Sequence, residues 1–342
     1  MKGKKVLMNI ILLSGGSGKR LWPLSNGTRA KQFIKIFKNE EENYTSMIEN
    51  MYNKIKALNP DSKITIATSK EQVPIIKEQI GKDVDLSIEP CRKDTFPAIV
   101  LAVSYLHYVK NVNKNEAVVI CPVDPEVGDE YFMALERLYE LANKNEYNIN
   151  LMGITPTYPS AKYGYIIPKD KEKEISEVQE FKEKPTEQKA SEYIKSGALW
   201  NGGILAFKIG YLLDLAHKMI YFKDYYDLQS KFKNLESVSF DYAVLEKEEK
   251  IQVMKFNGKW KDLGTWNTLV ETIKDPIIGN GIQSKSCKNT NIINELDIPI
   301  LCMGLENVIV VASENGIIVT NKEQSSYIKP YVEKLEQREK NE

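Results

Sequence analysis

Leu13 to Phe33 is LSGGSGKRLWPLSNGTRAKQF, and this stretch decides the fold class. It closes an apolar run, Val6 to Leu13, that only Asn9 interrupts. Such a run, without polar alternation, predicts a strand buried on both faces, as in a parallel sheet. Gly15, Gly16 and Gly18 then predict a loop with little side-chain bulk. With no Cβ in the way, backbone N–H groups can approach a phosphate closely. Arg20 and Lys31 follow as spaced cations. Strand, glycine loop and cations together predict a site for a phosphate anion; a glycine turn without a ligand is the bland alternative.

Three phosphate motifs fail against this loop. The P-loop requires Gly, four residues, then Gly-Lys-Ser/Thr. Here Leu13 stands at the first glycine position, and Arg20, which cannot ligate magnesium, follows Gly18-Lys19. The dinucleotide pattern G-x-G-x-x-G breaks at Leu21, where its last glycine belongs. Leu13-Ser14-Gly15-Gly16 echoes an ABC-transporter signature, but the phosphate-binding Lys motif of such a domain is absent.

Composition narrows the function classes. The chain has 342 residues, enough for one large α/β domain and a small second one. A hydrophobic share of 42% supports a sizeable core and argues against disorder. Basic and acidic side chains balance at 47 each, which gives no reason to expect a nucleic-acid or membrane partner. Arg occurs only at 20, 29, 92, 137 and 338, so Arg20 and Arg29 stand out in the loop region. An Arg fork suits phosphate, although Arg29 could equally serve loop packing. Cys91, Cys121, Cys287 and Cys302 have no C-x-x-C spacing, which argues against zinc and against a redox dithiol. Cys121 reads as a core filler, and His107 and His217 fall outside the motifs. The N-terminus faintly imitates a signal peptide, but its apolar run is short and lacks a cleavage site. No segment is long enough to span a membrane, so a cytoplasmic location is expected.

Strand-like and helix-like patterns alternate in the first half. Ile64 to Thr68 and Ala117 to Cys121 are β-rich. Phe96, Ile99, Val100, Val103 and Leu106 fall on one helical face, with Asp94 or Thr95 as cap and Pro97 in the first turn. Phe132, Leu135, Leu138 and Leu141 mark another helix. This alternation predicts a mostly parallel sheet, with ligands beyond the carboxyl ends of its strands. Tyr163 to Ile167 and Ile175 to Phe181 predict two strands around a charged turn, Lys169 to Glu174, read as an insertion covering the sheet edge. Composition shifts near Pro276. Short β-rich runs follow to Thr320, and then a polar helix is expected over Lys322 to Lys340.

The glycine loop with Arg20-Leu21-Trp22-Pro23-Leu24-Ser25 and Lys31-Gln32-Phe33 resembles the sugar-nucleotide pyrophosphorylases, in their mannose-1-phosphate guanylyltransferase branch. Lys19 and Ala30 depart from the pattern, where a small polar residue and Pro are usual. Further motifs resemble the family in order: Glu89-Pro90 to Ala98, Pro122-Val123-Asp124, Phe181-Lys182-Glu183-Lys184-Pro185, Trp200-Asn201-Gly202-Gly203, Asp241-Tyr242-Ala243-Val244 and Trp260 to Trp266. Pro125 replaces a His, Gly202 a Ser, and Lys93-Asp94 an Arg-Asn pair.

The resemblance implies an α/β fold: a Rossmann-like nucleotidyltransferase domain over 1–275 with a mostly parallel mixed sheet. A short β-helix-like appendage and terminal helix over 276–342 would serve packing and subunit contact, giving a homodimer. Longer family members add an isomerase domain after this point, and the sequence ends before it. The implied reaction is attack of a sugar-1-phosphate oxygen on the α-phosphorus of a nucleoside triphosphate. Both reactants are anions, so cations, backbone donors and a hard divalent ion are required, and no nucleophilic side chain. By resemblance Arg20, Lys31 and Lys184 are catalytic. Leu13, Gly15, Gly16, Ser17, Gly18, Glu89, Pro90 and Thr95 bind the nucleotide. Gly164, Glu183, Lys184, Asn201 and Asp241 bind the sugar phosphate. Asp124 and Asp262 hold Mg2+, with Mn2+ as substitute. As plain structure, Asp124 is a turn residue before Pro125 and Asp262 a helix cap before Gly264.

The leading expectation is GMP transfer from GTP to mannose 1-phosphate. Heptose-1-phosphate guanylyl, uridylyl or thymidylyl transfer, and a catalytically silent nucleotide sensor, are the alternatives.

Overall fold

The computed structural model describes residues 7–16, 19–39 and 41–339. Nine strands form the main sheet: β1 (Asn9–Leu13), β2 (Lys63–Ser69), β3 (Asp85–Glu89), β4 (Ala117–Pro122), β5 (Ile149–Ile154), β6 (Gly164–Pro168), β7 (Ile175–Lys182), β8 (Leu199–Lys208) and β9 (Ile251–Phe256). Their order is β3-β2-β1-β4-β8-β5-β9-β7-β6, and β6 also pairs with β8. Ile10 and Leu12 of β1 enter one core and Ile11 the other, which is why this strand has no polar face. Asn9, the polar break, is buried and donates to the Ala117 carbonyl at 3.1 Å.

The sheet is mixed rather than mostly parallel. Strands β3, β2, β1 and β4 are parallel neighbours, as the alternating first half implies. Beyond β4, among the described residues, β5 and β9 pair in parallel and the other ladders are antiparallel. The 163–181 segment is therefore no cover on the sheet; β6 and β7 are members of it. The irregular register of β8 between Asn201 and Leu205, with Gly203 at φ +73°, lets its first half pair with β6 and its second half with β4.

Helices 95–104, 209–219 and 225–231 pack on one face of the sheet, and helices 47–58 and 129–144 on the other. The apolar faces read for 95–106 and 129–144 are the buried ones, and Asp94 caps the former by accepting from the Thr95 N–H at 2.7 Å. A third core joins Leu21, Leu24 and Ile34 to Trp266, Leu269, Ile309 and Val311. Those last two belong to the C-terminal strands. There Ile277–Gly279, Asn291–Asn294 and Val308–Ser313 stack in parallel, as do Gly281–Gln283 and Ile300–Cys302. The terminal α-helix is Lys329–Glu339, shorter at its start than expected, after a 3₁₀ turn at Gln324–Tyr327. Pro330 sits in the first turn, where its missing N–H costs no helical bond.

Candidate active site

Three residues far apart in sequence converge at the carboxyl ends of β1 and β4. Asp124 follows β4, and the next residues, Pro125–Val127, pair antiparallel with Trp260–Asp262. In that register Asp262 faces Pro125, which brings the two carboxylates side by side. Lys31 opens the 3₁₀ turn Lys31–Phe33. Its Nζ lies 2.6 Å from Asp124 Oδ2 and 3.7 Å from Asp262 Oδ1. Burial alone would lower the Lys31 pKa, but Asp124 and then Asp262 outweigh it, and the ammonium is held above its ordinary value. Burial pushes the Asp262 carboxyl up; Lys31 pulls it down, and the Asp124 charge adds to the rise. Arg20 is close enough to lower both Lys31 and Asp262 electrostatically.

Two carboxylates sharing one cation fit a hard divalent ion that takes its remaining ligands from water and phosphate oxygens. The described residues contain no cluster of three or more metal-ligating side chains.

The second group of residues surrounds Asn201. Its Nδ2 donates to Asp241 Oδ1 at 2.6 Å, and its Oδ1 accepts from the Gly203 N–H at 3.1 Å. Burial, then the Glu183 charge, pushes the Asp241 carboxyl up to about 6, against the opposing Asn201 hydrogen bond and Lys184 charge. The Glu183 side chain is only 5% exposed and pairs with Lys184. Glu183 packs against Gly164, where a Cβ would lie 2.6 Å from Glu183 Oε2. Lys184 has φ +43° and precedes Pro185, which itself disfavours helical conformations in the residue before it. A strained, charged, non-glycine residue of this kind points to a site.

A cleft of about 500 Å³ links the groups. Leu13, Gly15, Gly16, Glu89, Thr95, Asp124, Asn201 and Asp262 all line it. Lys31 reaches it through the two aspartates, and Gly164, Glu183, Lys184 and Asp241 continue it beyond Asn201. Pro90 is exposed and is not brought to the cleft wall. Ser17 and Gly18 lie outside the described residues. Glu89 is buried in the wall, and desolvation pushes its carboxyl up to about 7. A larger groove of about 600 Å³, beside helix 47–58, contains none of these residues.

Several contributors escape a reading of the sequence. Gln32 is buried and donates to the Ser14 carbonyl at 2.7 Å, pinning the Lys31 turn to the glycine loop. A polar residue beside buried Phe33 and Ile34 is the available signal. Tyr163 sits with its ring centroid 4.8 Å from that of Trp200 and 5.8 Å from that of Trp260, making an aromatic wall. Both tryptophans stand in family-like motifs, whose polar members carry the more visible chemistry. Lys93 lines the cleft while donating to the Leu235 carbonyl. Arg29 does not face the cleft; its fork engages Glu295 at 2.7 and 2.8 Å, so loop packing is its observed role. Cys121 is a core filler, its thiol pushed up to about 12 by complete burial.

The family model described as nucleotidyl transferase matches residues 9–276. The chain is 28% identical to the mannose-1-phosphate guanylyltransferase of Escherichia coli, over 95% of this chain and 75% of that protein. It is 27% identical to the alginate biosynthesis protein AlgA of Pseudomonas putida, over 97% and 72% of the two chains. Among solved structures it resembles one from Thermus thermophilus, described as a mannose-1-phosphate geranyltransferase. That match has a TM-score of 0.80 and 26% identity, over 96% of this chain and 99% of the other.

Proposed function

Since the chain belongs to the nucleotidyl transferase family, we propose that it transfers GMP from GTP to α-D-mannose 1-phosphate, giving GDP-mannose and pyrophosphate. At the coarser level it is a sugar-1-phosphate nucleotidylyltransferase. The observation that carries the reading is the meeting of Lys31, Asp124 and Asp262 beside the glycine loop, in one cleft with Asn201. A phosphate oxygen of the sugar forms the new bond to the α-phosphorus, the α–β bridging bond breaks, and pyrophosphate leaves. Arg20 and Lys31 stabilise charge on the triphosphate as the transition state forms. Lys184 pairs with the sugar phosphate, while Glu183 and Asn201 accept from or donate to the hexose hydroxyls. Asp241 fixes the amide of Asn201. Leu13, Gly15 and Gly16 border the triphosphate, and Glu89 and Thr95 the base. Asp124 and Asp262 would hold Mg2+, or Mn2+ in its place, which when bound neutralises phosphate charge.

The product is an activated sugar for polysaccharide synthesis, and we place the reaction in the cytoplasm. No helix among the described residues is long and apolar enough to cross a membrane. A homodimer through the 276–342 appendage is supported by Ile282 and Leu301, register partners left 66% and 67% exposed.

The test is a panel of nucleoside triphosphates against sugar 1-phosphates, scored by pyrophosphate release. GTP is expected to exceed UTP by more than about tenfold, since a wrong base leaves a buried polar group unpaired at about 1–3 kcal/mol. Mannose 1-phosphate should exceed glucose 1-phosphate by less. Equal turnover with UTP or dTTP overturns the guanylyl assignment. Release with no pair overturns enzymatic transfer and leaves the silent sensor.

A further inference from the structure

The segment that carries Arg20 and Lys31 is fastened to the C-terminal strands rather than to the main sheet alone. Leu21, Leu24 and Ile34 are fully buried, and their core is shared with Ile293, Ile309 and Val311 of the appendage. The Pro23 carbonyl accepts from Ser313 Oγ at 2.9 Å and from Asn315 Nδ2 at 3.1 Å. Gly316 abuts the Trp22 ring so closely that a Cβ there would lie 2.5 Å from Trp22 Cζ2. At the other end, Arg29 forms its two-pronged pair with Glu295. The two fastenings therefore bracket the segment: one soon after Arg20, the other just before Lys31.

We propose that the appendage is a positioning element of the active site, with Glu295, Ser313 and Gly316 as positioning residues that hold the 20–31 segment so that Arg20 and Lys31 meet the triphosphate. This rests on the nucleotidyl-transfer reading for its kinetic consequence, though not for its structural one. The physical case is one of scale. The Arg29–Glu295 pair is partly exposed, with 29% and 35% of the two side chains accessible, so it contributes little to global stability. Its geometry is nevertheless bidentate, and that arrangement fixes direction. A catalytic cation displaced by an ångström loses far more rate than such a pair contributes to folding.

The experiment is a charge reversal. Arg29→Glu and Glu295→Arg alone are each expected to lower kcat about tenfold or more, the scale of a misplaced catalytic group. Their KM values for both substrates should change by less than about threefold, because binding groups elsewhere are untouched. The double variant should recover most of kcat. Hydrogen exchange over 19–33 should quicken in each single variant and slow again in the double one, while the thermal midpoint stays close to that of the native chain. The Ser313→Ala variant should share the single-variant pattern. Native kcat and native exchange in folded single variants would overturn the proposal, as would a double variant no better than the singles in either measure. If no variant and no native protein releases pyrophosphate, the exchange data still decide the structural claim, and the reaction assignment falls separately.

Discussion

The two ends of the cleft are built on opposite principles. At the glycine-loop end, the groups stand beyond parallel strands, on loops and a short two-stranded ribbon, and opposite charges meet around Lys31. At the Asn201 end, they stand on or beside antiparallel strands, and two largely buried carboxylates crowd each other: Glu183 pairs with Lys184, and Asp241 accepts from the Asn201 amide. The first arrangement has charge poised for an anion that arrives with several negative charges of its own. The second has fixed acceptors poised for neutral hydroxyls. The difference implies that loss of a charged group at the first end acts on rate, and damage at the second on sugar binding.

The largest expected effect tests the metal at the first end. Chelation should abolish turnover, with magnesium or manganese restoring it, and Asp262→Asn should need much more of either ion. Full activity of Asp262→Asn at low magnesium would remove the ion from this end. Lys31→Ala should lower kcat by on the order of a hundredfold while the protein stays folded, the scale of one preorganised electrostatic group. The matching variant at the second end is Lys184→Ala. Its side chain is 59% exposed and already paired. It should raise the KM for the sugar phosphate roughly tenfold, the scale of one charge-assisted hydrogen bond. Equal losses of kcat in both variants would erase the contrast.

A smaller effect separates the ends by pH. Asp241 has its carboxyl raised to about 6. A raised carboxyl binds its proton more tightly in the folded state, so its contribution to stability is complete below the unfolded pKa and is lost as pH rises through the folded one. Stability should thus fall between about pH 4 and about pH 6, and Asp241→Asn should flatten part of that fall in thermal midpoints taken across the range. Glu89, raised to about 7, supplies the same sign and leaves a residual slope in the variant. In kinetics, loss of the Asp241 charge below about pH 6 weakens its hold on the Asn201 amide. The KM for the sugar phosphate should rise there in the native chain and lose that dependence in Asp241→Asn.

The same contrast explains what can be read in advance. The first end is legible because each part is local: an apolar run broken at Asn9 alone, glycines, then cations, all within one short stretch. The meeting of residues 31, 124 and 262 is suggested only by ordered resemblance, since no spacing rule joins them. What brings Asp262 to Asp124 is a three-residue ribbon, too short to carry a periodic signal. The expectation of a mostly parallel sheet fails because alternation of strand and helix speaks for parallel neighbours, and β8 gives no hint that it runs antiparallel to β4 and β5 at once. The aromatic wall is hidden for a similar reason: Tyr163, Trp200 and Trp260 lie on different strands or loops and meet only through tertiary packing. Arg29 is ambiguous in sequence because its partner, Glu295, lies in the distant C-terminal part of the chain.

The finest test sets one glycine at each end against the other. Gly164 is required by the fold of its own site: a Cβ would lie 2.6 Å from Glu183 Oε2 and 2.8 Å from Phe181 Cζ. Glu183 is almost wholly buried, so it cannot simply swing into solvent. Gly164→Ala should therefore displace the carboxylate, raise the KM for the sugar phosphate roughly tenfold as one strong hydrogen bond is lost, and lower the thermal midpoint. Gly15 is different. A Cβ there meets nothing within 4 Å among the described residues, so those residues give no steric reason for glycine. If the loop exists for close approach of a phosphate, the reason is the ligand. Gly15→Ala should keep the native thermal midpoint and raise the KM for the nucleotide by roughly threefold to tenfold, the scale of one weakened neutral hydrogen bond. A native nucleotide KM in Gly15→Ala would take that residue out of the phosphate cradle, and a native sugar-phosphate KM in Gly164→Ala would take Glu183 out of sugar recognition.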